Sequence, residues 1–355
     1  VIDKFREIWD SQWLSNNGPK HQILEEELKK YLKVPHLSLF NNGTNALLSA
    51  SRSLDLTGEV ITTPFTFAAT PHSLTWNNLE PVFADIDDST LNIDPTKIEE
   101  LITKDTSAIL GVHVFGTPCD VDAINKIAKK HKLKVIYDAA HAFGVEINGR
   151  GIGTYGDTTI FSFHPTKLFH TGEGGALTYK TKELKNRNDL MKNFGIKNEE
   201  EVVLPGINGK MSEIQASLGL VVLNYIEDEM NHRKELEQTY RNELKNVEGV
   251  SFIQDLPNVK KSYQYLIIRI NSKNFGKTRD KVYKEFKKYN VFARKYFFPL
   301  CSNYEHYKGL PSAKPERLPV ANTVVEETLC MPFYGGLTKK DVIKICDILR
   351  TIRNE

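Results

Sequence analysis

Between about residues 40 and 178, short apolar runs alternate with stretches whose apolar residues recur at helical spacing. The runs are rich in β-branched and aromatic residues and end in turn residues, which predicts strands over residues 58–64, 80–87, 107–116, 133–140 and 158–163. The stretches between them, such as residues 94–105 and 120–133, have acidic first turns and predict helices. This alternation indicates an α/β fold whose mostly parallel central sheet is sandwiched by helices.

The pattern changes after Met211. Residues 211–247 contain no proline and one internal glycine, and they predict one long helix or two. A strand-like run over residues 260–270 follows, with helical patterns over residues 277–289 and 337–354. We therefore predict a large domain over residues 1–240, with an N-terminal arm, and a small C-terminal α+β domain over residues 241–355.

Composition excludes several classes of protein. The net charge is only +2, and basic residues alternate with acidic ones, so a nucleic-acid partner is not expected. No apolar run approaches the roughly 18 residues that span a bilayer. The four cysteines show neither a CxxC pair nor metal-ligand spacing, which is typical of buried thiols in a reducing compartment. We therefore predict a cytoplasmic protein without a membrane partner.

In an open parallel sheet, ligands bind at the carboxyl ends of the strands, so the residues at those ends are the first candidates. Asp138 ends the apolar run VIYD. A carboxylate behind a buried strand is costly unless a cation or strong donors meet it. Asp138 either caps the segment that follows or pairs with a buried cationic ring nitrogen, and taken alone the cap is the favoured interpretation.

A second candidate site follows the short run LSLFNN, where Gly43, Thr44 and Asn45 open an apolar helix. Free amides at a helix start, together with a hydroxyl and a glycine that permits close approach, form an anion site. Simple capping of the helix explains the same residues equally well.

Ser162 and Lys167 form a third candidate, on a predicted strand and the turn that follows it. A lysine in a semi-apolar site has a lowered pKa and can act as an amine nucleophile. Gly172, Gly174 and Gly175 would let the backbone turn sharply beside a bulky ligand. Taken alone, this window fits a surface lysine on a hairpin better than a nucleophile.

The three candidates together provide what pyridoxal 5'-phosphate (PLP) requires. Asp138 would keep the pyridine nitrogen protonated, so that the ring can accept electrons from a carbanion. Lys167 would bind the aldehyde as a Schiff base, and the residues at the helix start would bind the phosphate. Phe67 could stack on the ring.

The chain also resembles the DegT/StrS family of PLP-dependent sugar-nucleotide aminotransferases. Matching motifs in matching order run nearly from end to end of the chain: WLSNNGP (13–19), NNGTNAL (41–47), TTPFTFAAT (62–70), HVFGTPCD (113–120), YDAAHAFG (137–144), GDTTIFSFHPTK with GEGGAL (156–167 and 172–177), GINGKMSEIQASLG (206–219) and LPVANTVVEETLCMPFY (318–334). The resemblance implies an aspartate aminotransferase-like fold, the fold type I of PLP enzymes.

The resemblance also implies roles for individual residues. Lys167 resembles the lysine that binds the cofactor, and Asp138 the partner of its pyridine nitrogen. The other implied cofactor contacts are Gly43, Thr44, Asn45 and Ser162 at the phosphate, Phe67 and His141 at the ring, and Asn208, which would reach the phosphate in a neighbouring subunit. Asn208 therefore implies a homodimer with shared active sites.

Substrate contacts are implied less directly. Many relatives have arginine where this chain has Lys210, and lysine keeps the charge without the fork of donors. Candidate substrate residues are His164, His170, Lys210, Arg294 and Tyr296. The spacing of His164, His170 and Glu173 fits no usual metal site, so we expect no metal.

The implied reaction moves an amino group from L-glutamate, through pyridoxamine 5'-phosphate, to a nucleotide-linked keto-sugar. Relatives with histidine at position 167 catalyse dehydration instead, so Lys167 favours transamination. The chain looks most like transaminases that make dTDP-4-amino-4,6-dideoxyglucose from dTDP-4-keto-6-deoxyglucose, which implies a part in lipopolysaccharide O-antigen biosynthesis.

Three alternatives stay open: amination at carbon 3 of the sugar, a UDP- or GDP-linked sugar, and a PLP-binding regulator without turnover. Intact Lys167, Asp138 and Ser162 argue against the regulator.

Overall fold

The structure is a computed structural model that describes residues 2–15 and 17–354. The strands in chain order are β1 (Leu37–Phe40), β2 (Glu59–Thr62), β3 (Glu80–Phe83), β4 (Thr106–Val112), β5 (Lys134–Asp138), β6 (Glu146–Ile147), β7 (Arg150–Gly151), β8 (Thr158–Ser162), β9 (Gly175–Tyr179), β10 (Val250–Phe252), β11 (Val259–Lys260), β12 (Ile267–Ile270) and β13 (Thr328–Cys330).

The α-helices fall before, between and after these strands. In chain order they are α1 (Ile2–Ser11), α2 (Pro19–Leu32), α3 (Gly43–Ser53), α4 (Ala69–Trp76), α5 (Val121–His131), α6 (Lys182–Met191), α7 (Glu213–Leu223), α8 (Ile226–Leu244), α9 (Ser272–Phe275), α10 (Arg279–Lys288), α11 (Pro319–Glu327) and α12 (Lys339–Asn354). Within the described ranges, none of them is long and apolar enough to cross a membrane.

A seven-stranded sheet in the order β1-β9-β8-β5-β4-β2-β3 forms the centre of the molecule. Six of its strands run in one direction, and β9 is antiparallel to both of its neighbours, β1 and β8. The five predicted strands of this region are confirmed as β2, β3, β4, β5 and β8, each shorter than its apolar run. The edge pair β1 and β9 was not predicted as strands.

Helices cover both faces of the sheet. On one face α3 and α4 pack against residues such as Leu110 and Ile136. On the other face α5 contributes Ile124, which packs with Ile109 and Val135. Because both faces are buried, these strands have continuous apolar sequences rather than alternating ones. The predicted α/β fold with a mostly parallel central sheet is thus confirmed.

The predicted helix over residues 94–105 is wrong. This segment forms two short 3₁₀ turns, Pro95–Lys97 and Glu99–Leu101, before it enters β4. Asp94 Oδ1 accepts from the backbone N–H of Thr96 at 2.8 Å, and Thr103 Oγ1 accepts from the N–H of Asp105 at 3.1 Å. Such local side-chain bonds compete with the intrahelical ladder, so the helical spacing of the apolar residues is overridden.

The C-terminal region has its own small antiparallel sheet, in the order β10-β12-β13. Its core is formed with α8, α10 and α12 and includes Tyr240, Ile268 and Phe286. The predicted helical stretch over residues 211–247 is two helices, α7 and α8, and the predicted helices over residues 277–289 and 337–354 are confirmed as α10 and α12. The strand predicted over residues 260–270 is reduced to β12, with Lys260 ending β11.

The C-terminal core extends across the predicted domain boundary. It begins at Leu236 within α8, and residues between Leu300 and Val325 pack instead into the core of the large sheet. Asp85, which follows β3 and is buried, anchors this returning segment because its two carboxylate oxygens accept from the backbone N–H groups of Val320 and Ala321, each at 2.9 Å. The division into residues 1–240 and 241–355 stays a prediction, and we propose that residues 300–325 belong structurally to the large domain.

Candidate active site

A cavity of about 330 Å³ lies at the carboxyl ends of β5 and β8, the place that the parallel sheet predicts for a ligand. Its volume falls at the lower end of the range of small-molecule sites. Ten of the predicted site residues line it: Gly43, Thr44, Phe67, Asp138, His141, Ser162, His164, Lys167, Arg294 and Tyr296.

Asp138 is the last residue of β5, and only 5% of it is exposed. Its Oδ2 accepts from the Thr70 hydroxyl at 2.8 Å, and its Oδ1 accepts from the backbone N–H of Ala140 at 3.0 Å. Burial raises the pKa of Asp138, while these two hydrogen bonds and the charge of Lys167 oppose the rise. The carboxylate therefore caps the turn after β5 and also faces the cavity, so the two interpretations of its role are compatible.

Lys167 lies in the connection between β8 and β9, where its backbone N–H donates to the carbonyl of His164 at 2.8 Å. Its Nζ lies 5.8 Å from the centroid of the Tyr265 ring. Burial lowers the pKa of Lys167 from 10.5 to about 8, against the opposing effect of Asp138. An amine with this pKa is partly unprotonated near neutrality, as a nucleophile or proton acceptor requires.

His141 is buried in an aromatic cluster beside Asp138. Its ring stacks on Phe297 with a centroid separation of 5.6 Å and meets the edge of Tyr265 at 5.1 Å. Its Nδ1 accepts from the backbone N–H of Phe115 at 3.3 Å, which leaves the proton of the neutral ring on Nε2. Burial and the nearby Lys167 charge hold the pKa of His141 well below 6.5, so the ring is a neutral N–H donor.

The start of α3 provides a place for an anion. Gly43 and Thr44 line the cavity, and their backbone N–H groups donate to no other described residue. A Cβ on Gly43 would lie 3.0 Å from Ser162 Cβ, so a larger residue here would press the helix start and β8 apart by a few tenths of an ångström. Asn45 does not line the cavity, because its N–H donates to Asn42 Oδ1 at 2.7 Å and its side-chain amide to Asn41 Oδ1 at 2.9 Å.

The remaining predicted residues divide between this cavity and other places. Arg294 donates to the Tyr296 hydroxyl at 2.6 Å. His164 is exposed at the rim, with its Nε2 3.8 Å from Glu173 Oε1. His170 instead lines a larger cavity of about 690 Å³, which shares Thr166, Lys167, Tyr265, Arg294 and Tyr296 with the first.

Asn208 and Lys210 line neither of these two cavities. Asn208 is exposed, and its Oδ1 accepts from Lys210 Nζ at 2.8 Å. Lys210 Nζ also lies 4.7 Å from the centroid of the Phe194 ring. These two residues therefore stand outside the site of their own chain.

Sequence reasoning missed four residues of the site. Thr70 bonds Asp138, Tyr265 and Phe297 enclose His141, and the Gln264 side chain bonds the backbone beside Lys167. Thr70 is fully buried and lies in the motif TTPFTFAAT, but its hydroxyl has no local pattern that distinguishes it from a packed threonine. The other three come from residues 264–297 and reach the site only through tertiary packing.

The donor set fits PLP. The cavity places a buried carboxylate, an amine of lowered pKa, a neutral imidazole and an unpaired helix start around one volume of small-molecule size. A phosphate suits the free N–H groups of a helix start, and a carboxylate suits a protonated ring nitrogen.

Comparison with known proteins agrees with this chemistry. The model of the DegT/DnrJ/EryC1/StrS aminotransferase family matches residues 1–350. The dTDP-4-amino-4,6-dideoxy-D-glucose transaminase of Escherichia coli is 48% identical over 96% of this chain and 92% of its own length. The transaminase of the same name from Shigella dysenteriae is 43% identical over 98% of this chain and 94% of its own length.

A solved structure of similar fold also comes from a protein whose product is a nucleotide-linked sugar. The structure of DesI in the presence of its TDP-sugar product superimposes with a TM-score of 0.95 at 36% identity, over 100% of this chain and 90% of that one. The fold is that of PLP-dependent aminotransferases that act on sugars. The chain belongs to the DegT/DnrJ/EryC1/StrS aminotransferase family, and its cofactor is PLP.

The lowered pKa of Lys167 predicts how cofactor attachment depends on pH. Attachment needs the unprotonated amine, which with a pKa of about 8 is the minor form at pH 7 and the major form at pH 9. The rate at which cofactor-free protein gains the visible absorbance of the lysine-bound cofactor should therefore rise through a midpoint near pH 8. Because Asp138 favours the charged amine, Asp138→Asn should move this midpoint to lower pH. A midpoint near 10.5 in the unaltered protein would show that Lys167 is not in the buried environment described above.

Proposed function

We propose that the enzyme transfers the amino group of L-glutamate to a nucleotide-linked 4-keto-6-deoxy sugar. The preferred acceptor is dTDP-4-keto-6-deoxyglucose, and the product is dTDP-4-amino-4,6-dideoxyglucose. The observation that carries the proposal is that Lys167, whose amine has a lowered pKa, lines one cavity together with the buried Asp138 carboxylate. Lys167 also lines the second, larger cavity. The two transaminase relatives support the choice of sugar.

The residues of the smaller cavity would hold the cofactor by complementary charge. The N–H groups of Gly43 and Thr44, with the Ser162 hydroxyl beside them, are suited to the phosphate. Asp138 would keep a proton on the pyridine nitrogen, helped by the donors that oppose the rise in its pKa. When it is bound, the cofactor supplies an electron sink for the carbanion formed at the reacting carbon.

Lys167 would also move the proton of the reaction. Near neutral pH part of its Nζ population is unprotonated, so it can accept a proton from the α-carbon of the amino-acid donor and later return one. Nζ lies 5.8 Å from the centroid of the Tyr265 ring, and its partial desolvation is what lowers the pKa of the amine. A general acid–base group so placed contributes about 100- to 10,000-fold to a rate.

The second cavity suits the nucleotide-linked acceptor. Its volume of about 690 Å³ is enough for a nucleotide, and its walls include the aromatic residues Phe292, Phe333 and Tyr334. Arg294 lies where the two cavities meet and offers a positive charge to a diphosphate or to the carboxylate of the amino-acid donor. His164, His170 and Tyr296 are our further candidates for substrate contacts.

Exposed residues around the site support a homodimer with shared active sites. Phe67 lines the cavity yet is 61% exposed, and Trp76 nearby in the chain is 81% exposed. Further apolar side chains are exposed on the segment around Asn208: Phe194, Ile196, Val202, Val203 and Ile207. Patches of this kind mark interaction sites. We propose that a second copy covers them and that the partner's Asn208 completes the phosphate site.

Transfer at carbon 3 of the sugar, and a UDP- or GDP-linked acceptor, remain the alternative substrates. The comparisons give the regulatory alternative no support. A cytoplasmic location and a part in lipopolysaccharide O-antigen biosynthesis stay predictions.

The direct test of the function is product analysis. With L-glutamate and dTDP-4-keto-6-deoxyglucose, we expect NMR to show the new C–N bond at carbon 4, together with formation of 2-oxoglutarate. Lys167→Ala should lower the rate by about 1,000-fold or more, because it removes both the attachment point and the proton carrier. The matched control is Lys180→Ala, which alters an exposed lysine after β9 and should keep full activity. Nitrogen at carbon 3, or faster turnover of a UDP- or GDP-sugar, would refute the proposed substrate.

A mixing experiment tests the shared site. Lys167→Ala and Asn208→Ala chains should each be impaired alone, but a mixed dimer contains one site without either substitution. Equal mixing after subunit exchange should therefore add about a quarter of the unaltered activity. If mixing adds nothing while the chains exchange, Asn208 does not act across an interface.

A further inference from the structure

The segment that carries Lys167 has little regular structure of its own. It lies between β8 and β9, and the backbone–backbone hydrogen bonds inside it join Lys167 N–H to the carbonyl of His164, Phe163 N–H to that of Gly174 and Thr171 N–H to that of Phe163. Side-chain bonds add to these, between His164 and Thr166 and from the Thr171 hydroxyl to the carbonyl of Glu173. Beyond the lysine, Leu168 and Phe169 are buried in the apolar core. The peptide groups directly on either side of Lys167 are therefore not held by a helix or a strand.

The Gln264 side chain forms hydrogen bonds with both of the peptide groups that flank Lys167. Its Nε2 donates to the carbonyl of Thr166 at 3.0 Å, and its Oε1 accepts from the backbone N–H of Leu168 at 2.5 Å. A carbonyl demands a donor and an N–H demands an acceptor, so only one orientation of the carboxamide satisfies both. Gln264 is 3% exposed, and its bond to Leu168 is buried while its bond to Thr166 is part-buried.

Gln264 is itself fixed from the C-terminal region. It lies just before β12, and its backbone carbonyl accepts from Arg233 Nη1 at 3.4 Å. Arg233 is buried on α8, where its Nε donates to Glu229 Oε1 at 2.6 Å. The next residue, Tyr265, places its ring beside Lys167 Nζ. Gln264 thus contacts the peptide groups on both sides of Lys167, and the next residue, Tyr265, lies beside its amine.

We propose that Gln264 is a positioning residue, whose carboxamide fixes the backbone on both sides of Lys167 and thereby aims the amine into the cavity. The inference rests on the proposed role of Lys167. A carboxamide is required because the two contacts need one donor and one acceptor on the same rigid group. Without it, the segment would rotate about Lys167, and the amine would spend less time in the geometry that proton transfer needs.

The test compares Gln264→Met, which removes both hydrogen bonds at similar volume, with Gln264→Glu, which keeps an acceptor for Leu168 but loses the donor to Thr166. For the holoenzyme we expect Gln264→Met to lower kcat about 10- to 100-fold, because a misplacement of a reacting group by about 1 Å can cost about 100-fold. With kcat expressed per cofactor-loaded site, KM for L-glutamate should change less than about 3-fold, because Gln264 does not line the cavity proposed for the cofactor. The kcat of Gln264→Glu should fall between that of the unaltered protein and that of Gln264→Met.

Two controls separate positioning from folding. Gln254→Met makes the same exchange at an exposed glutamine, and Ile268→Val weakens the core of β12 without touching Lys167. Both should keep kcat per cofactor-loaded site. If Gln264→Met does not fold, the kcat of Gln264→Glu decides the question.

The outcomes are distinct for the two proposals. A lowered Tm with an unchanged kcat in the Gln264 variants, as for Ile268→Val, would overturn the positioning role and leave the proposed function intact. Absence of any PLP-dependent amino transfer in the unaltered protein would overturn the function instead.

Discussion

The site depends on two groups of opposite charge, the Asp138 carboxylate and the Lys167 amine, which lie in a desolvated place at the carboxyl ends of the parallel strands. Burial disfavours both charged forms, since it raises the pKa of Asp138 and lowers that of Lys167. Each charge partly relieves the other, and Thr70 and Ala140 add hydrogen bonds to the carboxylate. The result is an acid that can stay ionised beside an amine that can lose its proton, which is the combination that amino transfer with PLP requires.

Different parts of the fold position the two members of this pair. Asp138 is the last residue of β5, and its carboxylate accepts from the Thr70 hydroxyl and from the backbone N–H of Ala140. Lys167 lies on an irregular connection, and its position depends on contacts from Gln264 and Tyr265 in the C-terminal region. A change in the packing of that region would therefore displace the Lys167 amine more than the Asp138 carboxylate.

The sequence predicted the structure well where a local pattern marks an element and the topology of the sheet places that element. Apolar runs identified the parallel strands, and the rule that ligands bind at strand ends led to Asp138 and Lys167. It was uninformative where contacts are distant: Gln264 and Leu168 are 96 residues apart, and no periodicity signals their hydrogen bond. The helix predicted over residues 94–105 failed for the opposite reason, because short-range side-chain bonds at Asp94 and Thr103 replaced the helical ladder.

The most direct test of the account is to find which atom carries the cofactor. Purified protein loaded with PLP would be reduced with borohydride, digested and mapped by mass spectrometry. We predict a pyridoxyl group on the peptide that contains Lys167 and on no other lysine. An adduct on a different lysine, or none at all on a protein that binds PLP, would contradict the assignment of Lys167 and with it the proposed mechanism.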